Sequence, residues 1–78
     1  MAVKIVYAGY GVWNNTCNAT AVVQSQYDTG KRTFTASNEY CGDPMPSERK
    51  YLYIVWDNNG VQASGVTGER DARGVVVP

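Results

Sequence analysis

The chain contains no histidine. That excludes Ser-His-Asp and Cys-His nucleophilic sets and a zinc site of the usual kind, since each uses an imidazole as base or ligand. There is one leucine, Leu52, among many Val, Thr and Asn, with eight Gly and three Pro. Such a composition is poor in helix formers and rich in strand and turn residues. A surplus of charge is also missing, because seven Lys and Arg balance seven Asp and Glu. Nucleic acid and anionic membranes are therefore not expected as partners, as both need a basic excess. No apolar run approaches the ~20 residues of a membrane span. Met1-Ala2-Val3-Lys4 lacks the apolar stretch of a signal peptide, which leaves a cytoplasmic chain and a mature secreted chain both open. At 78 residues the expectation is one domain over residues 1–78, with a thin core that buries roughly 60–65% of its unfolded surface. No cofactor and no metal are expected.

Cysteine is scarce too, with only Cys17 and Cys41. A bridge between them would close a loop of about 25 residues and stabilise by roughly 3.5 kcal/mol on the chain-entropy estimate. The other reading is two small buried hydrophobes in a reducing compartment.

What is present reads as strands and turns. Residues 3–8 alternate as a strand, with Val3, Ile5 and Tyr7 on one face and Lys4, Val6 and Ala8 on the other. Gly9-Tyr10-Gly11 is expected to end it in a turn that presents the Tyr10 ring outward or along a groove. Residues 12–18 read as a polar loop holding Trp13. Residues 20–27 are expected to form a short helix with Asn18 or Thr20 as cap, although their β-branched side chains allow a strand. Residues 31–36 alternate around Phe34 as a strand.

Residues 50–57 form the strongest strand pattern, apolar on both faces and hence central. Asn58-Asn59-Gly60 is a hairpin signal, because Asn-Gly supplies the two positive-φ positions of a type I′ turn. A return strand follows over 61–67, then a solvated charged turn with Glu69, Arg70, Asp71 and Arg73, and a short strand over 75–77. The fold class expected is mainly β: a small antiparallel β-sandwich of about five strands with at most one short helix.

The 13-residue loop over 37–49 is long for so small a domain, and such loops are usually functional or disordered. Gly42 and Pro44 flank Asp43 and set its backbone angle. Asn38 offers an amide with donors and an acceptor, and Lys50 offers three donors. An Asn, an Asp, a Lys and a Tyr at one rim suit a sugar, whose hydroxyls both donate and accept and whose C–H face covers an aromatic ring. In the plainer reading, Asp43 caps its own loop and Asn38 makes a local Asx turn.

Three stretches resemble the galactose/rhamnose-binding lectin domain of the sea-urchin egg lectin type. Ala8-Gly9-Tyr10-Gly11-Val12 stands where that family carries Ala-Asn-Tyr-Gly-Arg after a strand. Gly30-Lys31 then leads to Ala36-Ser37-Asn38, to Cys41-Gly42-Asp43-Pro44-Met45 and to Lys50-Tyr51-Leu52, where the family has Gly-Lys, Ala-Ser-Asn, Phe-Gly-Asp-Pro-Cys and Lys-Tyr-Leu. The resemblance spans roughly residues 4–57. It implies sugar contacts at Tyr10, Asn38, Asp43 and Lys50, and a galactoside or rhamnoside as ligand. The family's first strand also carries an acidic sugar ligand, and residues 1–9 hold no acid, so Glu39 or Glu48 would have to replace it. Val12 replaces the family's Arg and Met45 its Cys.

The expected function is thus a non-catalytic lectin recognising a terminal hexose or deoxyhexose, with Trp13 as a further wall of the site. One site per chain binds weakly, so avidity calls for a homo-oligomer, formed through the outer face of residues 50–57 or through 75–77. The alternative is a structural or protein-interaction module of the same fold, with Lys50 paired to Asp43. A calcium-binding crystallin-like domain is a more distant reading, since the segment around Asp57 supplies one carboxylate and calcium takes six to eight oxygens.

Overall fold

The computed structural model describes residues 3–12, 14–37, 39–40 and 49–78. The protein is mainly β with one short helix, in antiparallel sheets of four and two strands. Strands β1 (Val3–Val12), β2 (Asn15–Asn18), β4 (Tyr51–Asn58) and β5 (Val61–Gly68) form the larger sheet in the order β2-β1-β4-β5. Strands β3 (Thr33–Phe34) and β6 (Val75–Val76) form the smaller one. Helix α1 (Thr20–Asp28) joins β2 to β3.

The register of the larger sheet follows from one turn. Asn59 and Gly60 both take positive φ, 56° and 88°, and Gly60 donates its N–H to Asp57 Oδ1 at 2.6 Å. This is the two-residue hairpin that Asn-Gly favours. It pairs Asn58 with Val61 and runs without a break to Tyr51 opposite Gly68. Strand β4 lies between β1 and β5, as its two apolar faces require. Leu52, Ile54 and Trp56 point into the core, and Tyr51, Tyr53 and Val55 lie half-buried on the other face.

Strand β1 departs from its simple alternation. Its pairing with β4 shifts between Ile5 and Tyr7, so Val6 is the extra residue of a β-bulge. The bulge puts Ile5 on the same face as Ala8 and Tyr10, all buried, while Tyr7 is exposed. The expectation that Val3, Ile5 and Tyr7 share a face is corrected by that single inserted residue. Nor does β1 stop at Gly9. It continues through Gly9-Tyr10-Gly11, pairing Tyr10 with Leu52 on one side and Cys17 on the other. The expected turn is therefore strand, and part of the expected 12–18 loop is β2. Gly11 makes this crossing feasible at φ 150°, where a Cβ would meet Thr16 Cα at 2.7 Å.

Helix α1 packs against β1. Ala19 donates to the Ala8 carbonyl at 2.8 Å, Thr20 Oγ1 accepts from the Ala8 N–H at 2.9 Å, and Gln24 Oε1 accepts from the Ile5 N–H at 3.0 Å. The edge of β1 that β2 leaves uncovered before Gly9 is thus closed by helix side chains. The cap position is Ala19, with Asn18 Oδ1 accepting the Thr20 N–H at 2.9 Å. Val23 from the helix, and Phe34, Val75 and Val77 from the smaller sheet and its end, cover the inner face of the larger sheet. Gly65 leaves room for Val75, whose Cγ1 lies 2.9 Å from where a Cβ would sit. Among the described residues no helix is long and apolar enough to cross a membrane.

Candidate functional site

Past its last paired residue the hairpin makes one more contact. Glu69 donates its N–H to the Lys50 carbonyl at 2.9 Å, which brings the Lys50 and Glu69 side chains to the core face. The Glu69 carboxylate uses both oxygens: Oε1 accepts the Lys50 N–H at 3.0 Å and lies 3.5 Å from Lys50 Nζ, and Oε2 accepts from the Tyr10 hydroxyl at 3.1 Å. Arg49 Nε donates to the Glu69 carbonyl at 3.0 Å while its guanidinium lies over the Tyr51 ring. Tyr40 completes the group, its ring centroid 6.0 Å from that of Tyr10.

Burial grades sharply across this cluster. Tyr10 is 0% exposed and Lys50 4%, whereas the Glu69 side chain keeps 26% of its surface in solvent. The carboxyl is held below the usual carboxylate range, chiefly by the Lys50 backbone N–H and against a desolvation cost, with help from the Tyr10 hydroxyl and the Lys50 charge. Burial, aided by the Glu39 charge, pushes the Tyr40 hydroxyl up to about 12. That hydroxyl has no hydrogen-bond partner among the described residues, and neither has Thr67 Oγ1. The result is a carboxylate held below its usual titration range at the rim of a buried Tyr-Lys-Tyr floor. It can accept from hydroxyl or amide donors.

Of the residues expected at a sugar site, Tyr10 and Lys50 are brought together, and Glu69 is the group that joins them. Tyr10 does not present its ring outward, because the strand continues through it and turns the ring into the core. Glu39 is exposed beside Tyr40, with its N–H on Ser37 Oγ at 3.3 Å. Asn38, Asp43, Glu48, Trp13 and the Gly42–Pro44 segment lie outside the described residues, and so does a Lys50–Asp43 pair. Cys17 is disulfide-bonded, its Sγ 3.4 Å from the Tyr10 carbonyl oxygen. The other cysteine of the chain, Cys41, is outside the described residues.

Sequence reasoning missed Glu69 by assigning it to a solvated turn. That turn is real for its later members: Arg70 takes φ 70°, and the Arg73 side chain donates to Asp71, holding its carboxyl down to about 2. The signal for Glu69 lay in the hairpin. Counting eight residues back from Asn58 reaches Lys50, and eight forward from Val61 reaches Glu69. Among the described residues no three His, Cys, Asp or Glu side chains group as a metal site.

A scan against protein-family models finds no match for this chain, and searches of curated proteins and of solved structures find none either.

Proposed function

We propose that the protein is a small non-catalytic binding module that takes a glycan at the Tyr10–Lys50–Glu69 end of the larger sheet. The observation that carries this reading is the half-open Glu69 carboxylate, held ionised by Lys50 and Tyr10. A lectin of the suggested type needs an acid among its sugar-hydroxyl acceptors, and the first strand supplies none. Glu69 provides one from the opposite end of the chain. In this reading Glu69 contacts sugar hydroxyls, and Tyr10 and Lys50 are positioning residues that act through it, since neither ring nor ammonium is exposed. Asn38 and Asp43 would add the amide and second carboxylate that a hexose or deoxyhexose requires.

A second reading, a structural or protein-interaction module, is favoured by the same burial. A fully buried Tyr and a buried Lys that already bond a carboxylate resemble an internal staple. An NMR titration of the nitrogen-labelled chain with L-rhamnose, D-galactose and D-glucose separates the two. Saturable shifts of the Lys50, Glu69 and Glu39 amides with one sugar, lost in Glu69→Gln while the remaining spectrum is kept, support the glycan reading. No shift at tens of millimolar sugar overturns it in favour of the staple.

A further inference from the structure

Strand β5 is the outer strand of the larger sheet, with β4 on one side and, among the described residues, no strand on the other. Exposed strand edges invite pairing, and soluble proteins usually blunt them with charges, proline, bulges or covering elements. Over its eight residues β5 has none of the first three: Val61-Gln62-Ala63-Ser64-Gly65-Val66-Thr67-Gly68 carries no charge and no proline, and its register with β4 is unbroken. Gln62, Ser64 and Val66 are all exposed, Val66 at 62%.

The hairpin turn determines which backbone groups are open. It closes on the hydrogen-bonded pair Asn58–Val61, and such pairs alternate along an antiparallel ladder. Val61, Ala63, Gly65 and Thr67 therefore bond β4, and the N–H and C=O groups of Gln62, Ser64, Val66 and Gly68 point away from it. The Gly68 carbonyl is taken by the Asp71 N–H at 3.1 Å. Gln62, Ser64 and Val66 have no such partner among the described residues.

We propose that β5 is a homodimerisation edge, on which a second copy of this chain pairs its own β5 antiparallel across a twofold axis at Ser64. Only in that register do the three open residues find one another. Ser64 faces Ser64 of the second copy, and Gln62 faces Val66 in both directions, each pair exchanging two backbone hydrogen bonds. On the inner face Ala63 meets Gly65, the smallest pair β5 offers, with Val75 of each chain packed over its own Gly65. No like charges oppose each other along the strand. A foreign strand would satisfy the same groups, but nothing in β5 selects its side chains, whereas the twofold makes each copy the complement of the other. The contact is small. Eight residues at ~3.3 Å each give an edge of about 26 Å, and an edge alone buries well under the ~800 Å² per partner of a standard interface. The dimer is therefore weak and concentration-dependent. This inference stands apart from the glycan reading, and its test contains no sugar.

Sedimentation equilibrium of the full chain from about 10 µM to about 1 mM is expected to show a monomer passing to a dimer, with a dissociation constant in the high-micromolar range. Over the same range, amide hydrogen exchange at Gln62, Ser64 and Val66 is expected to slow about two- to fourfold, because those protons alone change partner. Ser64→Pro removes an N–H that β4 does not use and at an edge position leaves the fold intact. It is expected to remain monomeric throughout, as is Ser64→Lys, which places like charges on the axis. Both variants should retain the dispersed spectrum of the parent. A parent that stays monomeric at 1 mM, a dimer whose Gln62, Ser64 and Val66 amides keep their dilute exchange rates, or dimerisation unchanged in both variants would each overturn the proposal.

Discussion

Replacing Glu69 with alanine strips three donors of one acceptor group: the Lys50 N–H, the Lys50 ammonium and the Tyr10 hydroxyl. Lys50 and Tyr10 are buried, so water cannot take over without opening the core. Losing one hydrogen bond costs the buried hydroxyl about 1 kcal/mol and the backbone N–H about as much. The ammonium loses a partner at 3.5 Å that is itself part-exposed, so its share is nearer the ~1 kcal/mol of a surface pair than the several of a fully buried one. Together these give a loss of about 3 kcal/mol, against a total stability of about 4–12 kcal/mol for a chain this long.

Urea unfolding of the oxidised protein, followed by tryptophan fluorescence, should show the midpoint fall by about 2 M at unchanged slope. The comparison also has a pH signature. The Glu69 carboxyl titrates lower in the folded chain than in the unfolded one, so its contribution is fully present above the unfolded value of about 4.3 and is lost as pH falls through the folded value. Parent and variant should therefore converge in acid. A midpoint shift below about 0.3 M at pH 7 would mean that the carboxylate is solvated rather than engaged, and would refute the cluster as described.

Three further outcomes follow from the same geometry. Tyr10→Phe should cost about 1–1.5 kcal/mol alone and much less in the Glu69→Ala background, a coupling that a double-mutant cycle of urea midpoints measures. Tyr40→Phe should change the melting midpoint little or raise it, because the hydroxyl it deletes is buried without a partner among the described residues; a loss above about 2 kcal/mol would reveal a partner. Reducing the Cys17 disulfide with dithiothreitol should destabilise the chain by about 2–4 kcal/mol, read as a lower thermal midpoint.

Much of the sheet was legible in the sequence, for reasons that are local. Asn59-Gly60 encodes its turn in two residues, and the apolar run from Tyr51 to Trp56 declares a central strand on both faces. The rest depended on contacts that local patterns do not carry. Gly9 and Gly11 read as a break, yet they let β1 continue where β2 crosses closely. Val6 looks like any alternating apolar residue, and only the pairing with β4 reveals it as the extra one. At the site, Tyr10 and Lys50 were singled out from motif positions. Glu69 was passed over because acids next to Arg70 and Asp71 usually face water. Its role rests on a register counted from the turn eight pairs away.

The clasp of Gln24 and Thr20 on the bulged part of β1 bears on how this protein behaves when crowded. A sheet that can add strands on both sides is a monomer of a fibre, whereas one that can add on a single side is a chain terminator. On the β1 side the backbone is covered by the helix and by the four residues of β2, so among the described residues the long open edge is at β5. Growth in such a system stops after one addition. Light scattering at rising concentration should accordingly level off near twice the protomer mass, and loosening the clasp with Gln24→Ala and Thr20→Val should convert that plateau into open-ended aggregation.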